Sequence, residues 1–505
     1  MSAYRAPACA TTRTAPRRPT PGRSLRVALQ IANAAQYHGV RTGTIPQRLP
    51  IRDVKKRVMY LHVFAREPPH VSAGAMKLFA NRVAFARVFG GAVVSQGLLS
   101  VINLLTGLIL IRRAPQAQYG YYVLIVAASP LLTQIQNQLI SPLLTTRVTT
   151  AGDEERKDYV GALVREQRHL LAIVAAAGVM GCGLVWFGGA LRPQTAAILV
   201  AGVIAALAMQ FREFFRLLLV SYRRPYDVLR ADVVFAVLLV GGIWLSTLTS
   251  APAALSALTL AGAAVVGGLL LSRALWRHDP WNPHGSSGAF ATSVRLGVWS
   301  ATGAVIHWVF TQGYSYIVAA RLDVSAVAAI AATRLLLSPL GVFSLGISSV
   351  MFATSKLWLR HHGPGGLLRR NLVFTLGMAC ATIAYVIVMW SMRDWIFLHI
   401  LKRDYPQRDL LLGIWSLIFF CTVIRDQVIF LLMAKGQFKR LAGLTLFCAA
   451  LGISVTFVLI RRFGAAGGLL GLLAGEVAHV VGVMVLTFRD MRAGVRRPND
   501  LGVPS

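Results

Sequence analysis

Acidic side chains are scarce in this chain: 19 Asp and Glu stand against 52 Lys and Arg in 505 residues. Charge of either sign is scarce too, at 14%, where soluble globular domains carry about 25%. The mean hydropathy is +0.60 and 55% of the residues are hydrophobic. These values exclude the several soluble domains that the length alone would permit. Five cysteines are too few for a disulfide framework. Cys182, Cys380, Cys421 and Cys448 fall in apolar runs and read as small hydrophobes. GxSxG, GxxxxGKS/T and HExxH motifs are all missing, so no signature of a serine hydrolase, a P-loop or a zinc protease is present and no enzyme is expected. "HHGPGG" at 361–366 reads as a loop, and two adjacent histidines make a poor metal site. No cofactor or metal is expected.

What the chain does have is long apolar runs. The net charge of +33 raises a nucleic-acid partner. The basic residues, however, cluster between apolar runs, as in membrane loops, and nucleic acid is not expected. A bilayer core needs about 20 apolar residues per crossing. Spans fall near 88–111, 120–145, 169–190, 195–222, 227–248, 253–276, 296–320, 326–352, 371–391, 409–434, 439–460 and 464–488. With the N-terminus inside, the inner loops carry eighteen basic residues and the outer loops ten. The positive-inside rule then favours both termini in the cytoplasm. The first 75 residues hold thirteen Lys and Arg against Asp53 and Glu67. They read as a disordered basic tail or a start assigned ahead of a true Met76; a lipid-binding arm or transit peptide is the alternative.

The two halves of the chain match. "RVFGGAVVSQGLLSVINLLTGLILIRR" at 87–113 aligns without a gap with "RLGVWSATGAVIHWVFTQGYSYIVAAR" at 295–321, pairing Arg87 with Arg295 and Arg113 with Arg321. Pro130 then pairs with Pro339, and Arg147 with Lys356. "FREFFRLLLV" at 211–220 aligns with "IRDQVIFLLM" at 424–433, pairing Arg212 with Arg425 and Glu213 with Asp426. The expected fold is an all-α polytopic membrane protein. It has about twelve transmembrane helices in two six-helix lobes related by a parallel internal repeat, 76–290 and 291–490, with a tail 491–505. Such lobes commonly enclose a midplane cavity and rock about it.

With "RVFGGAVVSQGLLSVINLLTGLILIRRAPQAQYGYYVLI" and "FREFFRLLLVSYRRP", the chain resembles the polysaccharide transporter branch of the multidrug/oligosaccharidyl-lipid/polysaccharide exporter superfamily over roughly 85–490. The resemblance implies a flippase that carries an undecaprenyl-pyrophosphate-linked oligosaccharide across the bacterial inner membrane by alternating access. It also implies that the first two helices of each lobe face the cavity. A multidrug or small-molecule exporter of the same fold is the alternative. A membrane glycan enzyme is disfavoured by the short outer loops, of which 392–408 is the longest.

The polar residues agree with such a cavity. Gln96, Ser100 and Asn103 share one face of the first helix, and Gln134, Asn137, Gln138 and Ser141 one side of the second. His307, Thr311 and Ser315 line up on the seventh, and Arg334, Ser338 and Gly341 on the eighth. Interhelical hydrogen bonding is the alternative use of each. Arg334, set among alanine and leucine, is the leading substrate contact, because a guanidinium forks onto phosphate. Its alternatives are a carboxylate partner or the outer headgroups. His307, with Glu476 and His479 three residues apart on the twelfth helix, forms a candidate site for coupling to a proton; the coupling ion, H+ or Na+, is not readable, and ordinary packing pairs are the alternative.

The charges within the spans count as Arg212, Arg216, Arg334 and Arg425 against Glu213, Asp426 and Glu476. No acid falls in the first three spans, whereas the resemblance implies a carboxylate in the first helix of exporters of cationic drugs. "FREFFR" places Arg212 and Arg216 on one face, with Glu213 about 100° away and badly placed to pair with Arg212. With its echo at Arg425–Asp426 it reads as a structural clamp or gate, ahead of snorkelling or substrate contact.

Overall fold

The computed structural model describes residues 75–150, 152–189, 192–283, 289–435 and 437–495. The basic stretch before residue 75 and the end of the tail lie outside them, as do the side chains of Arg87, Ser141, Arg147, Arg295 and Lys356. Contacts divide the chain into two units, Met1–Phe79 and Ala80–Ser505.

Eleven long helices follow one another: α1 Ala75–Arg113, α2 Gln116–Thr150, α3 Asp153–Phe187, α4 Pro193–Ser221, α5 Pro225–Ser246, α6 Pro252–His278, α7 Ala289–Arg321, α8 Val324–Ser391, α9 Arg408–Ala434, α10 Phe438–Phe463 and α11 Ala465–Val495. No strand occurs among the described residues. Proline opens α4, α5 and α6 at a position whose N–H would be unbonded in any case. Asp323 caps α8, its Oδ1 accepting the Val324 N–H at 2.7 Å.

The 68 residues of α8 are two limbs joined at Gly363, whose φ of 63° and ψ of −174° break the helix. The left-handed backbone needs glycine, and Pro364 then starts the second limb. Residues 361–366, read above as a loop, are thus a kink in one helix. His362 Nε2 is 2.7 Å from Arg370 Nη2 of the second limb.

Among the described residues eleven stretches are long and apolar enough to cross a membrane: α1 to α6, the two limbs of α8, and α9 to α11. α7, with 33 residues, is not one of these eleven but packs beside them, on α2, α10 and α11. The chain is an all-α polytopic membrane protein of two repeated six-helix lobes. In the first, α6 packs on α4 and α5; in the second, α8 packs on α9, and α11 on α9 and α10. Apolar side chains gain little from leaving lipid for protein, so close backbone approach drives this packing. Ala253, Ala257, Ala261, Ala264 and Gly268 are buried on α6, and Ala201, Ala205 and Ala208 on α4. Large apolar residues cover the outside, among them Leu184, Phe187 and Trp299.

The lobes meet chiefly where α2 packs on α7 and α8. At one end the contact is backbone to backbone: a Cβ on Gly120 would sit 2.2 Å from the Val324 carbonyl oxygen. Trp308 Nε1 donates to the Ala127 carbonyl at 2.7 Å, and the Tyr316 hydroxyl to the Leu124 carbonyl at 2.9 Å. Segment 392–408 folds over the same end as a short turn, Arg393–Trp395, running into a π-helix, Ile396–Leu401. Two arginines latch it across the lobes. Arg112 at the end of α1 donates to the His399 carbonyl at 3.0 Å and to the Ile400 carbonyl, while Arg403 donates back to the Ala114 carbonyl at 2.6 Å. Each guanidinium satisfies carbonyls that a helix end leaves open, at the end favourable to cations.

Candidate functional site

Between the lobes lies a cavity of about 310 Å³ lined from α1, α2, α7 and α8. Asn103 and Thr106 come from α1, Tyr119 and Tyr122 from α2, Gln312, Tyr314 and Ser315 from α7, and Arg334 and Ser338 from α8. Arg334 is the one residue in this lining that carries a full charge. Its guanidinium carbon stands 5.4 Å from the centre of the Trp415 ring, a cation–π distance. The indole is fixed by Nε1 donating to the Ile330 carbonyl at 3.0 Å. Among the described residues no carboxylate lies within ion-pair distance of Arg334.

Of the residues proposed from sequence, Asn103, Ser315, Arg334 and Ser338 line this cavity. Gln96, Gln134, Asn137, His307 and Thr311 sit one or two turns further along the same helices, away from segment 392–408. Gln96 and His307 are exposed there, and Gln134, Asn137 and Thr311 half-buried. The Thr311 hydroxyl is spent on its own helix, donating to the His307 carbonyl at 2.9 Å. Gln138 accepts from Ser300 across the lobes at 2.5 Å. The Asn137 side-chain oxygen is buried with no partner among the described residues. The aromatic wall of Tyr119, Tyr122 and Tyr314, and Trp415 behind Arg334, went unnoticed in the sequence, where each looks like ordinary membrane-helix composition.

The charged stretch of α4 forms a closed ring. Arg212 binds Glu213 at 2.6 Å and Asp232 of α5 at 2.5 Å; Arg216 lies 3.5 Å from each of the same two carboxylates. Ser95 of α1 donates to Asp232 and accepts from Arg216 at 3.2 Å. The Arg212 guanidinium lies 4.0 Å over the Phe235 ring, and Gly267 on α6 leaves the room, since a Cβ there would stand 3.3 Å from the Arg212 side chain. Arg212 and Asp232 are fully buried. Two expectations are corrected. Arg212 does pair with its neighbour Glu213, because a long guanidinium swings through an angle that fixes only the Cβ directions. The charge count also omitted Asp232, the acid in "VLRADVVFAV"; with it the charges more than three residues from a span end stand at four against four.

In the second lobe, Arg425 of α9 binds Glu476 of α11 through Nη1 at 2.6 and 2.7 Å, and Asp426 through Nη2 at 2.8 Å. Glu476 and His479 do not pair with each other. His479 is buried with Nε2 3.4 Å from the Thr445 hydroxyl, Nδ1 without a partner among the described residues, and its ring edge-on to Phe310 at 5.9 Å. His307 lies within electrostatic range of Arg425, Asp426 and His479.

About twelve membrane helices in two repeated lobes, with a polar cavity between them, define a fold class shared with known transporters. The chain matches an inward-facing multidrug resistance MATE family transporter of the MOP superfamily at a TM-score of 0.63 and 15% identity, over 80% of this chain and 96% of that one. The lipid II flippase MurJ, in an inward closed conformation, matches at 0.63 and 12%, over 79% and 87%. A MOP superfamily transporter from Pyrococcus furiosus, described as having a binding pocket of reversed polarity that suggests a different function, matches at 0.55 and 14%, over 81% and 96%. No protein-family model and no curated protein sequence matches the chain.

Proposed function

We propose that this protein is a flippase that carries a lipid-linked oligosaccharide, joined through pyrophosphate to an undecaprenyl-type lipid, across the bacterial inner membrane for polysaccharide synthesis. The observation that carries the reading is Arg334. It is a guanidinium without a carboxylate partner among the described residues, in a cavity between the lobes, beside hydroxyls and amides suited to sugar hydroxyls. An unpaired charge at membrane depth is costly and is kept where it has a task. A forked donor suits a pyrophosphate. A cationic drug would meet repulsion there, which weighs against multidrug export. That one of the similar transporters is described by a reversed pocket polarity fits a fold whose pocket charge follows its substrate.

At about 310 Å³ the cavity takes part of such a headgroup, and it widens as the lobes part. Gln96, Gln134, Asn137, His307 and Thr311 extend the polar track toward the expected cytoplasmic side. The Arg112–Arg403 latch closes the opposite end in the present state. The ring around Arg212 and the Arg425–Asp426–Glu476 group act as clamps that keep each lobe rigid while it rocks. The second group has one arginine for two carboxylates, so a proton entering at Glu476, His307 or His479 is the reading for coupling.

Deletion of the gene followed by lipid analysis tests the reading. Lipid-linked glycan accumulates on the inner leaflet, and a copy carrying Arg334→Ala does not clear it. Loss of drug resistance with unchanged glycan lipids would reverse it.

A further inference from the structure

A recess of about 520 Å³ lies where α7 and α10 end, lined by Arg321, Leu322, Phe457, Val458, Ile460 and Arg461. Its walls are apolar and open: Phe457 and Val458 are exposed, on a helix long and apolar enough to face lipid. Two guanidinia stand at its mouth. Arg321 lies 5.4 Å over the Phe457 ring, so its stem is held against the wall with the donors of its fork left over. Among the described residues neither Arg321 nor Arg461 has a carboxylate within ion-pair distance. The nearest acid in sequence, Asp323, is committed elsewhere: its Oδ1 accepts the Val324 N–H at 2.7 Å. Hydrogen bonds from the Ser325 side chain and the Val324 amide hold its carboxyl below the usual range.

The matching place in the first lobe keeps only half of this arrangement. Arg113, the repeat partner of Arg321, lies over the Trp244 ring at 3.6 Å, and Trp244 stands where the offset between Arg212 and Arg425 places the partner of Phe457. Leu248 stands where the offset between Arg212 and Arg425 would place the partner of Arg461. A pair of guanidinia above an apolar slot is therefore particular to the second lobe. Its chemistry has two parts, a dianionic or monoanionic phosphate for the forks and a hydrocarbon chain for the wall.

We infer that the recess between the ends of α7 and α10 is a binding site for one anionic phospholipid, its phosphate held by Arg321 and Arg461 and an acyl chain lying along Phe457 and Val458. The site is separate from the cavity around Arg334 and does not depend on what that cavity carries. Basic recesses between membrane helices suit acidic headgroups, each basic residue near the surface contributing about 1 kcal/mol.

The test uses the full chain in nanodiscs of phosphatidylcholine with a rising fraction of phosphatidylglycerol. Native mass spectrometry counts the phosphatidylglycerol retained after release. The wild-type protein is expected to retain one molecule at low mole fraction. Arg321→Gln and Arg461→Gln each weaken retention about fivefold and the double variant about 25-fold, whereas Arg462→Gln, outside the recess, leaves it unchanged. Val458→Ser weakens it as well, because the chain loses its wall. Circular dichroism and elution profile establish that each variant is folded. Equal retention by wild type and double variant overturns the site. Displacement of the lipid by millimolar inorganic phosphate overturns the lipid as the occupant and leaves a plain anion site.

Discussion

Arg212 and Arg425 occupy matching turns of α4 and α9, and each binds the acid that follows it, yet the buried carboxylate completing each pair comes from a different helix. Asp232 reaches Arg212 from α5 at 2.5 Å, the fifth helix of its lobe; Glu476 reaches Arg425 from α11 at 2.6 Å, the sixth of the other. The repeat retains the guanidinium and relocates its partner. Arg216, the second arginine of the first cluster, aligns with Ile429. The first cluster is therefore balanced, two arginines with two acids, and the second holds one arginine with two.

Asp232→Ala leaves the buried Arg212 and the half-buried Arg216 with one carboxylate. Breaking a buried pair from one side costs about 3–5 kcal/mol. Thermal unfolding in detergent should show a loss of that order. Adding Arg216→Ala restores the balance and regains part of the loss, so strictly additive losses would contradict the ring.

Glu476→Gln should cost less than Asp232→Asn. After the first change Arg425 still has Asp426, and the charges of the second cluster become equal. After the second, Arg212 and Arg216 share Glu213 alone. The two variants unfolding at the same temperature would count against this ordering. If Glu476 is the coupling acid, the glutamine variant also loses any dependence of transport on an imposed pH gradient.

Arg112→Ala or Arg403→Ala opens the latch over segment 392–408. Hydrogen bonds from a charged donor contribute about 1.5–3 kcal/mol when buried, and these partly exposed ones sit at the lower end. Amide hydrogen exchange across 396–403 should quicken in either variant while the α4–α6 core is unchanged. Unaltered exchange would mean that the segment is held by its buried Phe397 and Leu401 alone.

Asp323→Ala removes the cap of α8 and lowers stability by about 1 kcal/mol. The Asp323 carboxyl is held below its ordinary value by the Ser325 side chain and the Val324 amide. Its contribution is therefore complete above the unfolded value, near 4, and fades as the pH falls through the lower folded one. The difference between wild type and variant should be constant near neutrality and shrink only in acid.

The membrane spans, the repeat and the four cavity helices were legible in the sequence, because length, hydropathy and helical spacing determine them. Asn103 and Arg334, placed on the cavity side by helical spacing together with the resemblance, both line the cavity between the lobes. What spacing misses is the reach of long side chains. A helical wheel places Arg212 and Glu213 about 100° apart, but a guanidinium extends well beyond its Cβ, and the 2.6 Å contact follows from that. Asp232 was in plain view in an apolar run; only the packing of α5 on α4 gives it meaning. The Arg112–Arg403 latch joins residues far apart in the chain and has no local signal. The kink at Gly363 is a matter of one backbone angle, and "HHGPGG" resembles any loop.

The most direct test of the central claim is flipping in proteoliposomes of purified protein, with a fluorescent pyrophosphate-linked lipid oligosaccharide in the inner leaflet and its appearance outside as the readout. Wild-type protein is predicted to speed its appearance. Arg334→Ala should abolish that gain and Arg334→Lys, which keeps the charge and loses the fork, restore it in part. Wild-type protein that leaves the lipid where it was loaded, while expelling a cationic dye, would contradict the account.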